Sequence, residues 1–267
     1  MLGLVVLLVA GIYVVSELKI REAHATPGNP VAVPSDPISI AEGERLARIT
    51  GCLGCHGGNL EGKMFIDDPM LARIAAPNLT AAAGAYSDAE LERIIRHGIR
   101  PDNRSVIAMP SDMLNALDDA DMGRIIAYLR SVPPVAGQER VMKAGPLGRA
   151  GIALGQYNPA VVEVRKAAAA ASEFPSAGDS SFRGSYLARI ACTECHGVDL
   201  KGGQGTPDLA IAAAYSHEQF VTLMKTGVAL GDRELELMSS VARSRFSNFS
   251  DDEIAELHEF LVARAKN

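Results

Sequence analysis

Two stretches decide the fold of this chain: GCLGCHGGNL at 51–60 and ACTECHGVDL at 191–200. Each contains a Cys-x-x-Cys pair that is followed at once by a histidine. Together they hold all four cysteines of the 267-residue chain. Paired cysteines at this spacing bind zinc, form a disulfide, act as a redox pair or attach haem covalently. The surrounding sequence has to discriminate among these chemistries.

The histidine directly after the second cysteine favours covalent haem attachment. In that chemistry the two thiols add to the haem vinyl groups and the histidine ligates the iron. A structural zinc site would have to bridge Cys55 and Cys192, which lie a whole domain apart. A thioredoxin-like pair needs a βαβ setting, which the sequence does not indicate. A disulfide stays open as an alternative in an exported chain.

The two motifs belong to an internal repeat. GERLARITGCLGCHG at 43–57 matches GSYLARIACTECHG at 184–197, and AYSDAELERIIRHG at 85–98 matches AYSHEQFVTLMKTG at 214–227. A repeated order of motifs indicates a duplicated domain. We therefore place domain 1 at 39–134 and domain 2 at 181–267, joined by a linker at 135–180 that is rich in alanine, glycine and proline.

Helical patterns dominate both copies. Ser39 with Glu42 and Ser87 with Glu90 have the spacing of capping boxes, which predicts a helix after each serine. An apolar stripe over 117–134 predicts a further helix that ends at a pair of prolines. The sequence therefore predicts an all-α fold.

An electron-transfer haem needs a second axial ligand, and methionine opposite histidine raises the haem potential. Met109 and Met113 are the candidates in the first copy, and Met238 is the candidate in the second. Met109 and Met238 both stand 11 residues after a matching glycine, Gly98 or Gly227. The repeat therefore selects Met109 over Met113.

Pro77 and Pro207 occupy equivalent places downstream of the two motifs. A ligand histidine usually donates its other ring N–H to a carbonyl, which fixes its orientation. We therefore expect these prolines to supply carbonyls to His56 and His196. His258 has no counterpart in the first copy and is expected on the surface.

The N-terminus differs from the rest of the chain, because residues 2–15 carry no charge. A run of this length is short for a membrane span and is typical of a signal-peptide core. No basic segment precedes it, as a signal peptide would require. We interpret residues 1–22 as a membrane anchor, with a cleaved signal as the alternative, and residues 23–38 as an extended tether.

The composition argues against nucleic acid as a partner. The net charge is −6 and 48% of the residues are hydrophobic. No basic stripe is present, so we expect no nucleic-acid partner.

These residues resemble class I cytochromes c, and the tandem arrangement behind an apolar segment is similar to the membrane-anchored dihaem cytochromes c of bacteria. The resemblance covers about 39–134 and 181–267. It implies two tandem all-α domains, in which the first and third helices cross near Gly43 and Gly184. It also implies two covalent haem c groups with iron as the metal. Their cysteine, proximal histidine and distal methionine residues would be Cys52, Cys55, His56 and Met109, then Cys192, Cys195, His196 and Met238. The second copy departs from the pattern, since Ser239 stands where the first copy has Pro110.

The resemblance implies an electron carrier rather than an enzyme. It would be anchored in the bacterial inner membrane with its soluble domains in the periplasm. A dehydrogenase or a quinol-oxidising complex would be its electron donor, and a terminal oxidase its acceptor. The alternatives are a dihaem peroxidase-like enzyme, a cytochrome subunit of a dehydrogenase complex, and a haem-based gas sensor.

Overall fold

A computed structural model describes residues 2–175, 178–203 and 205–266 of the chain. It is mainly helical, as predicted, with small antiparallel sheets in addition. The first domain and the segment before it contain α1 (Leu2–Arg21), α2 (Pro37–Ile49), α3 (Cys52–His56), β1 (Lys63–Asp68), β2 (Ala72–Ala76), α4 (Leu79–Ala85), α5 (Asp88–His97), α6 (Ser111–Leu114) and α7 (Asp119–Ser131). The segment between the domains contains β3 (Val141–Ala144), α8 (Pro146–Ala153), α9 (Ala160–Ala170) and a 3-10 turn at Ala171–Glu173.

The second domain has the same order of main helices but places its two short strands after α12. It contains α10 (Phe182–Ala191), α11 (Thr193–His196), α12 (His217–Thr226), β4 (Val228–Ala229), β5 (Arg233–Glu234), α13 (Glu236–Ser244) and α14 (Asp251–Arg264). Two 3-10 segments lie at Leu209–Ala214 and Phe246–Asn248.

Local capping explains where the helices begin. Ser87 Oγ accepts from the Glu90 N–H, and the Ser87 N–H donates in return to Glu90 Oε2, so the predicted capping box is present at α5. The prediction that Ser39 caps the first helix of the domain is wrong. Asp36 is the N-cap and accepts from the Ser39 N–H, because Pro37 starts the helix three residues earlier than a Ser39 cap would.

In each domain the first and last helices cross at a glycine. A Cβ atom on Gly43 would lie 1.9 Å from the carbonyl oxygen of Arg124 in α7, and one on Gly184 would lie 2.1 Å from that of Glu256 in α14. Only a residue without a side chain permits such an approach. The crossing holds α3 and α11, which follow at once, against the core of each domain.

The segments interpreted as a tether and a linker pack against the first domain. Ala32 O would lie 2.0 Å from a Cβ atom on Gly123 of α7, so the tether runs across that helix. In the linker, β3 pairs antiparallel with β2 and completes a three-stranded sheet in the order β1-β2-β3. Helix α9 packs against α6. The two segments are therefore not free connectors.

Helix α1 is 20 residues long, has a mean hydropathy of 2.0 over its most apolar window and is 6% buried there. By length and composition it can cross a membrane, and a signal sequence would pass the same test. Its last turns contact α8. Arg149 of α8 donates to Ser16 Oγ at 3.1 Å and to Glu17 Oε2 at 2.9 Å.

The two domains share one hydrophobic core and several polar contacts. The buried Tyr186 hydroxyl of α10 donates to Asp121 Oδ2 of α7 at 2.6 Å. Burial together with the adjacent Asp121 carboxylate raises the pKa of Tyr186. Arg45 of α2 forms an ion pair with Glu253 of α14 at 2.7 Å. The domains are therefore docked through residues of the first domain that precede and follow its Cys-x-x-Cys-His motif in the sequence.

Candidate functional site

A cavity of about 560 Å³ lies beside the first Cys-x-x-Cys-His motif, lined mainly by the first domain and also by residues of α1, the linker and the second domain. Its wall contains every site residue that the sequence analysis selected in this copy: Cys52, Cys55, His56, Pro77 and Met109. Apolar side chains of β2, α5 and α7 form most of the remaining wall, including Ile74, Ile94 and Leu129. The cavity therefore has the cysteines and histidine on one side, a methionine available as a sulfur ligand, and a largely apolar interior.

The Cys-x-x-Cys-His segment forms the single-turn helix α3, and glycines fix both of its ends. Gly51 at the start has φ +83° and Gly57 at the end has φ +87°. Residues with a side chain rarely adopt this left-handed backbone, so glycine is required there. The tight turn places Cys52, Cys55 and His56 on the cavity wall together.

The His56 ring is oriented by the backbone. Its Nδ1–H donates to the carbonyl oxygen of Pro77 at 2.8 Å. With Nδ1 engaged, Nε2 is the nitrogen available to a metal. Burial lowers the pKa of His56, although the Pro77 bond opposes the shift. The ring is therefore neutral near pH 7, as an iron ligand must be.

The four cysteines form no disulfide with one another, and burial raises the pKa of each thiol. The pKa of Cys192 rises to about 12. A raised thiol pKa disfavours the thiolate that reactive and redox cysteines use. These environments therefore argue against a catalytic or redox-active cysteine pair.

The structure separates the two methionines that compete for the distal position in the first copy. Met109 lies in the loop before α6 and lines the cavity. Met113, inside α6, is 1% exposed and packs in the hydrophobic core. Met109 is thus the methionine that can reach an iron held by His56.

Positive charge at the cavity is a feature that the sequence analysis does not predict. Five arginines and three acidic residues line it: Arg21, Arg100, Arg104, Arg140, Arg245, Glu17, Asp102 and Glu194. Burial lowers the pKa of Arg100, and nearby Arg140 lowers it further. Arg100 Nε is buried and has no hydrogen-bond partner among the described residues. The excess of positive charge and the orphaned donor fit the two propionate carboxylates of a haem.

The second motif has the same local geometry. His196 Nδ1–H donates to the Pro207 carbonyl at 2.9 Å, which matches the His56–Pro77 pair. Cys192 is buried and Cys195 is exposed.

Met238 is placed differently from Met109. It lies within α13, half-buried against the hydrophobic core. Ser239, which stands where the first copy has Pro110, is fully buried, and its Oγ accepts from Leu235 N–H at 2.8 Å and donates to Gly227 O. A proline could not make these bonds. The serine therefore lets the second copy hold its methionine on a helix instead of a loop.

Comparison with known proteins agrees with this geometry. The family model described as Cytochrome c matches residues 40–133 and 182–264. The fructose dehydrogenase cytochrome subunit of Gluconobacter japonicus is 31% identical over 122 residues, which is 42% of this chain and 25% of that protein. The cytochrome c subunit of alcohol dehydrogenase (quinone) from Gluconacetobacter polyoxogenes is 30% identical over 115 residues, 40% of this chain and 25% of that protein.

A third relative is one of the subunits of nicotinate dehydrogenase from Pseudomonas putida. It is 32% identical over 122 residues, 42% of this chain and 10% of that protein. The chain thus spans a quarter or less of the length of these three relatives.

The two family matches each contain one Cys-x-x-Cys-His motif, and cytochrome c domains hold haem c through such motifs. The cavity dimensions, the oriented histidine and the cationic wall of the first domain are consistent with that cofactor. The chain belongs to the cytochrome c family and binds two haem c groups covalently, one in each matched region.

Proposed function

We propose that the chain carries single electrons between the two haems and redox partners, as a cytochrome subunit of a dehydrogenase complex. The observation that carries this proposal is the meeting of His56 and Met109 at one apolar cavity with Cys52 and Cys55. When bound, the haem iron cycles between ferrous and ferric states. Histidine and methionine together would fill both axial positions and leave no open site for substrate chemistry.

The site residues have separate roles in this function. Cys52 and Cys55 bind the porphyrin covalently, and Pro77 O orients His56 through Nδ1. The apolar wall excludes water from the ring, and Arg100 with Arg140 pairs with the propionates. Cys192, Cys195, His196, Pro207 and Met238 take the equivalent roles in the second domain.

The relatives support a dehydrogenase as the electron donor, since the three described above are named as subunits of fructose, alcohol and nicotinate dehydrogenases. Each match covers less than half of this chain and at most a quarter of the relative, so the substrates in those names are not assigned to a complex of this chain. A quinol-oxidising complex is the alternative donor, and a terminal oxidase is the acceptor.

The test is spectroscopic. The full chain, purified in detergent with both haems attached, is expected to show a reduced spectrum that neither carbon monoxide nor peroxide alters. Tagged chain from the native host is expected to co-purify with a dehydrogenase that reduces it. Rapid peroxide turnover would instead identify a peroxidase, and carbon monoxide uptake on both irons would identify a gas sensor.

Helix α1 anchors the protein in the bacterial inner membrane, with both haem domains in the periplasm. A 20-residue helix is about 30 Å long, the thickness of the hydrocarbon core. Its contacts with α8 favour an anchor over a cleaved signal. Lys19 Nζ donates to the carbonyls of Ile152 and Ala153 at the end of α8, at 3.0 and 3.2 Å. Cleavage after α1 would remove Lys19 and leave the carbonyls of Ile152 and Ala153 without this hydrogen-bond donor.

Removal of the anchor gives a direct prediction. A variant in which residues 2–15 are replaced by a cleavable export signal is expected to move from the membrane pellet to the soluble periplasmic fraction with both haems attached. The full chain should stay in the pellet after a carbonate wash. The anchor interpretation fails if the N-terminal residue of the native mature protein lies beyond Arg21.

A further inference from the structure

Arg245 joins the two Cys-x-x-Cys-His motifs. It follows α13 in the second domain, yet its guanidinium packs on the backbone of the first motif. A Cβ atom on Gly51 would lie 2.3 Å from Arg245 Cζ, and one on Gly54 would lie 3.8 Å from Arg245 Nη2. Arg245 Nη1 also donates to Glu194 Oε2 at 2.6 Å, and Glu194 lies inside the second motif. One ion pair thus contacts both haem-attachment segments.

Both charges lie close to the attachment thiols of the two domains. The Arg245 side chain is 18% exposed and that of Glu194 is 30% exposed, so solvent screens the pair only in part. The contacts with Gly51, Gly54 and Glu194 place the pair between the two motifs. A charge at this place acts electrostatically on both attachment segments.

Other contacts across the domain interface hold the two motifs in place beside Arg245 and Glu194. The Tyr186–Asp121 hydrogen bond and the Arg45–Glu253 ion pair cross the same domain interface. Arg45 Nη1 also donates to the carbonyl of Asn248 at 3.0 Å, in the 3-10 segment that begins directly after Arg245. The approach of the two motifs is thus part of the docked interface rather than a contact of two loose side chains.

We propose that Arg245 and Glu194 are a positioning pair between the two haem-attachment segments. The pair holds the two motifs together, and its charges would set the potentials of the haems bound there. The inference rests on the proposed electron-carrier function.

The sign of the effect follows from charge. A cation near a haem favours the ferrous state, which carries one positive charge fewer, and so raises the potential. Arg245→Gln removes the cation and leaves Glu194 unpaired, so both haem potentials fall. Glu194→Gln leaves the cation unpaired, so both rise. A merely structural defect would move the potentials in the same direction in both variants.

The experiment is a spectroelectrochemical titration of the full holoprotein in detergent. Each variant is expected to change the ferrous-to-ferric ratio of at least one haem about fivefold at fixed potential, which is about 40 mV at 59 mV per tenfold change. Arg245→Lys keeps the charge and should stay near the wild-type potentials. The matched control is Arg73→Gln, which breaks an exposed ion pair with Asp67 on the sheet and should change neither potential.

Unchanged potentials, or shifts of the same sign in both charge-neutralising variants, would overturn the inference. Haem content per chain shows whether each variant has assembled. If Arg245→Gln fails to assemble, an upward shift in Glu194→Gln decides for the inference and an unchanged potential decides against it. Failure of the electron-carrier function would appear separately, as carbon monoxide binding or peroxide turnover by the unmutated protein.

Discussion

Replacement of both Cys52 and Cys55 by serine is expected to unfold the first domain while the second keeps its haem. Apolar side chains of the first domain form most of the cavity wall beside the first motif. Loss of the haem would leave these side chains exposed to water or without packing partners, and both outcomes destabilise a domain. Without thioether bonds the haem can leave, and the apolar wall then collapses or unfolds.

Mass spectrometry and hydrogen exchange measure the two parts of this result. The variant should weigh one haem less than the unmutated chain after acid-acetone extraction. Amides of α2, α5 and α7 should lose their protection, whereas those of α10 and α14 should keep most of it. The matched variant with Cys192 and Cys195 replaced by serine should reverse the pattern. Unchanged protection of α7 in the first variant would show that the protein, not the haem, holds the domain together.

The sequence predicts the attachment chemistry because that information is local. A Cys-x-x-Cys-His segment carries both thiols and the proximal nitrogen within one helical turn. The repeat adds the rest, since equal distances from Gly98 and Gly227 select Met109 and Met238 without knowledge of the fold. Pro77 and Pro207 follow from the same comparison, and the structure contains hydrogen bonds from both histidines to these prolines.

The docked linker is not visible in the sequence, because its partners are distant. Strand β3 pairs with β2 in a register that joins Ala72 to Ala144, about seventy residues apart. Neither strand has strong apolar alternation, so the composition of 135–180 indicates a linker and does not indicate a strand that pairs with the first domain. The cavity arginines escape prediction for the same reason, since Arg100 and Arg140 come together only once β3 is in place.

The position of His258 is a second point on which the sequence expectation fails. The expectation that His258 lies on the surface is wrong, because the residue is 8% exposed and stacks on Phe220 with ring centroids 4.6 Å apart. Its Nε2–H donates to the carbonyl of Ala212 at 3.2 Å. A ring that satisfies its polar atom through a neighbouring backbone can enter a core at little cost. A comparison of the two repeats cannot place His258, because the first copy has no counterpart for it.

Arg245 is a residue that a comparison of the two repeats does not identify. Between the methionine and the N-cap of the last helix, the second copy is three residues longer, from Met238 to Ser250 against Met109 to Asp118. The difference in length is visible in the sequence, and Arg245 lies in the longer segment. Its partner Glu194 and its contact with Gly51 depend on how the domains dock, which no property of either repeat indicates.

Met109→Ala is expected to open the distal position of the first haem and leave the second haem unchanged. The reduced variant should bind carbon monoxide at one haem per chain, whereas the unmutated protein should bind none. The potential of the first haem should fall, because a thioether ligand favours ferrous iron and its loss removes that preference. Absorption spectroscopy of the reduced protein with carbon monoxide, together with a redox titration, measures both effects.

The control is Met113→Leu, a substitution of similar volume in the nearest competing methionine. Met113 is 1% exposed and packs in the core away from the cavity wall, so its loss should cost less than about 1.5 kcal/mol and leave the iron closed to carbon monoxide. Carbon monoxide binding by Met113→Leu and not by Met109→Ala would exchange the roles of the two residues. Binding by neither variant would assign the distal position to a ligand other than methionine. Met238→Ala tests the second domain in the same way, and there the helical setting of the methionine predicts the same opening without disturbance of the first haem.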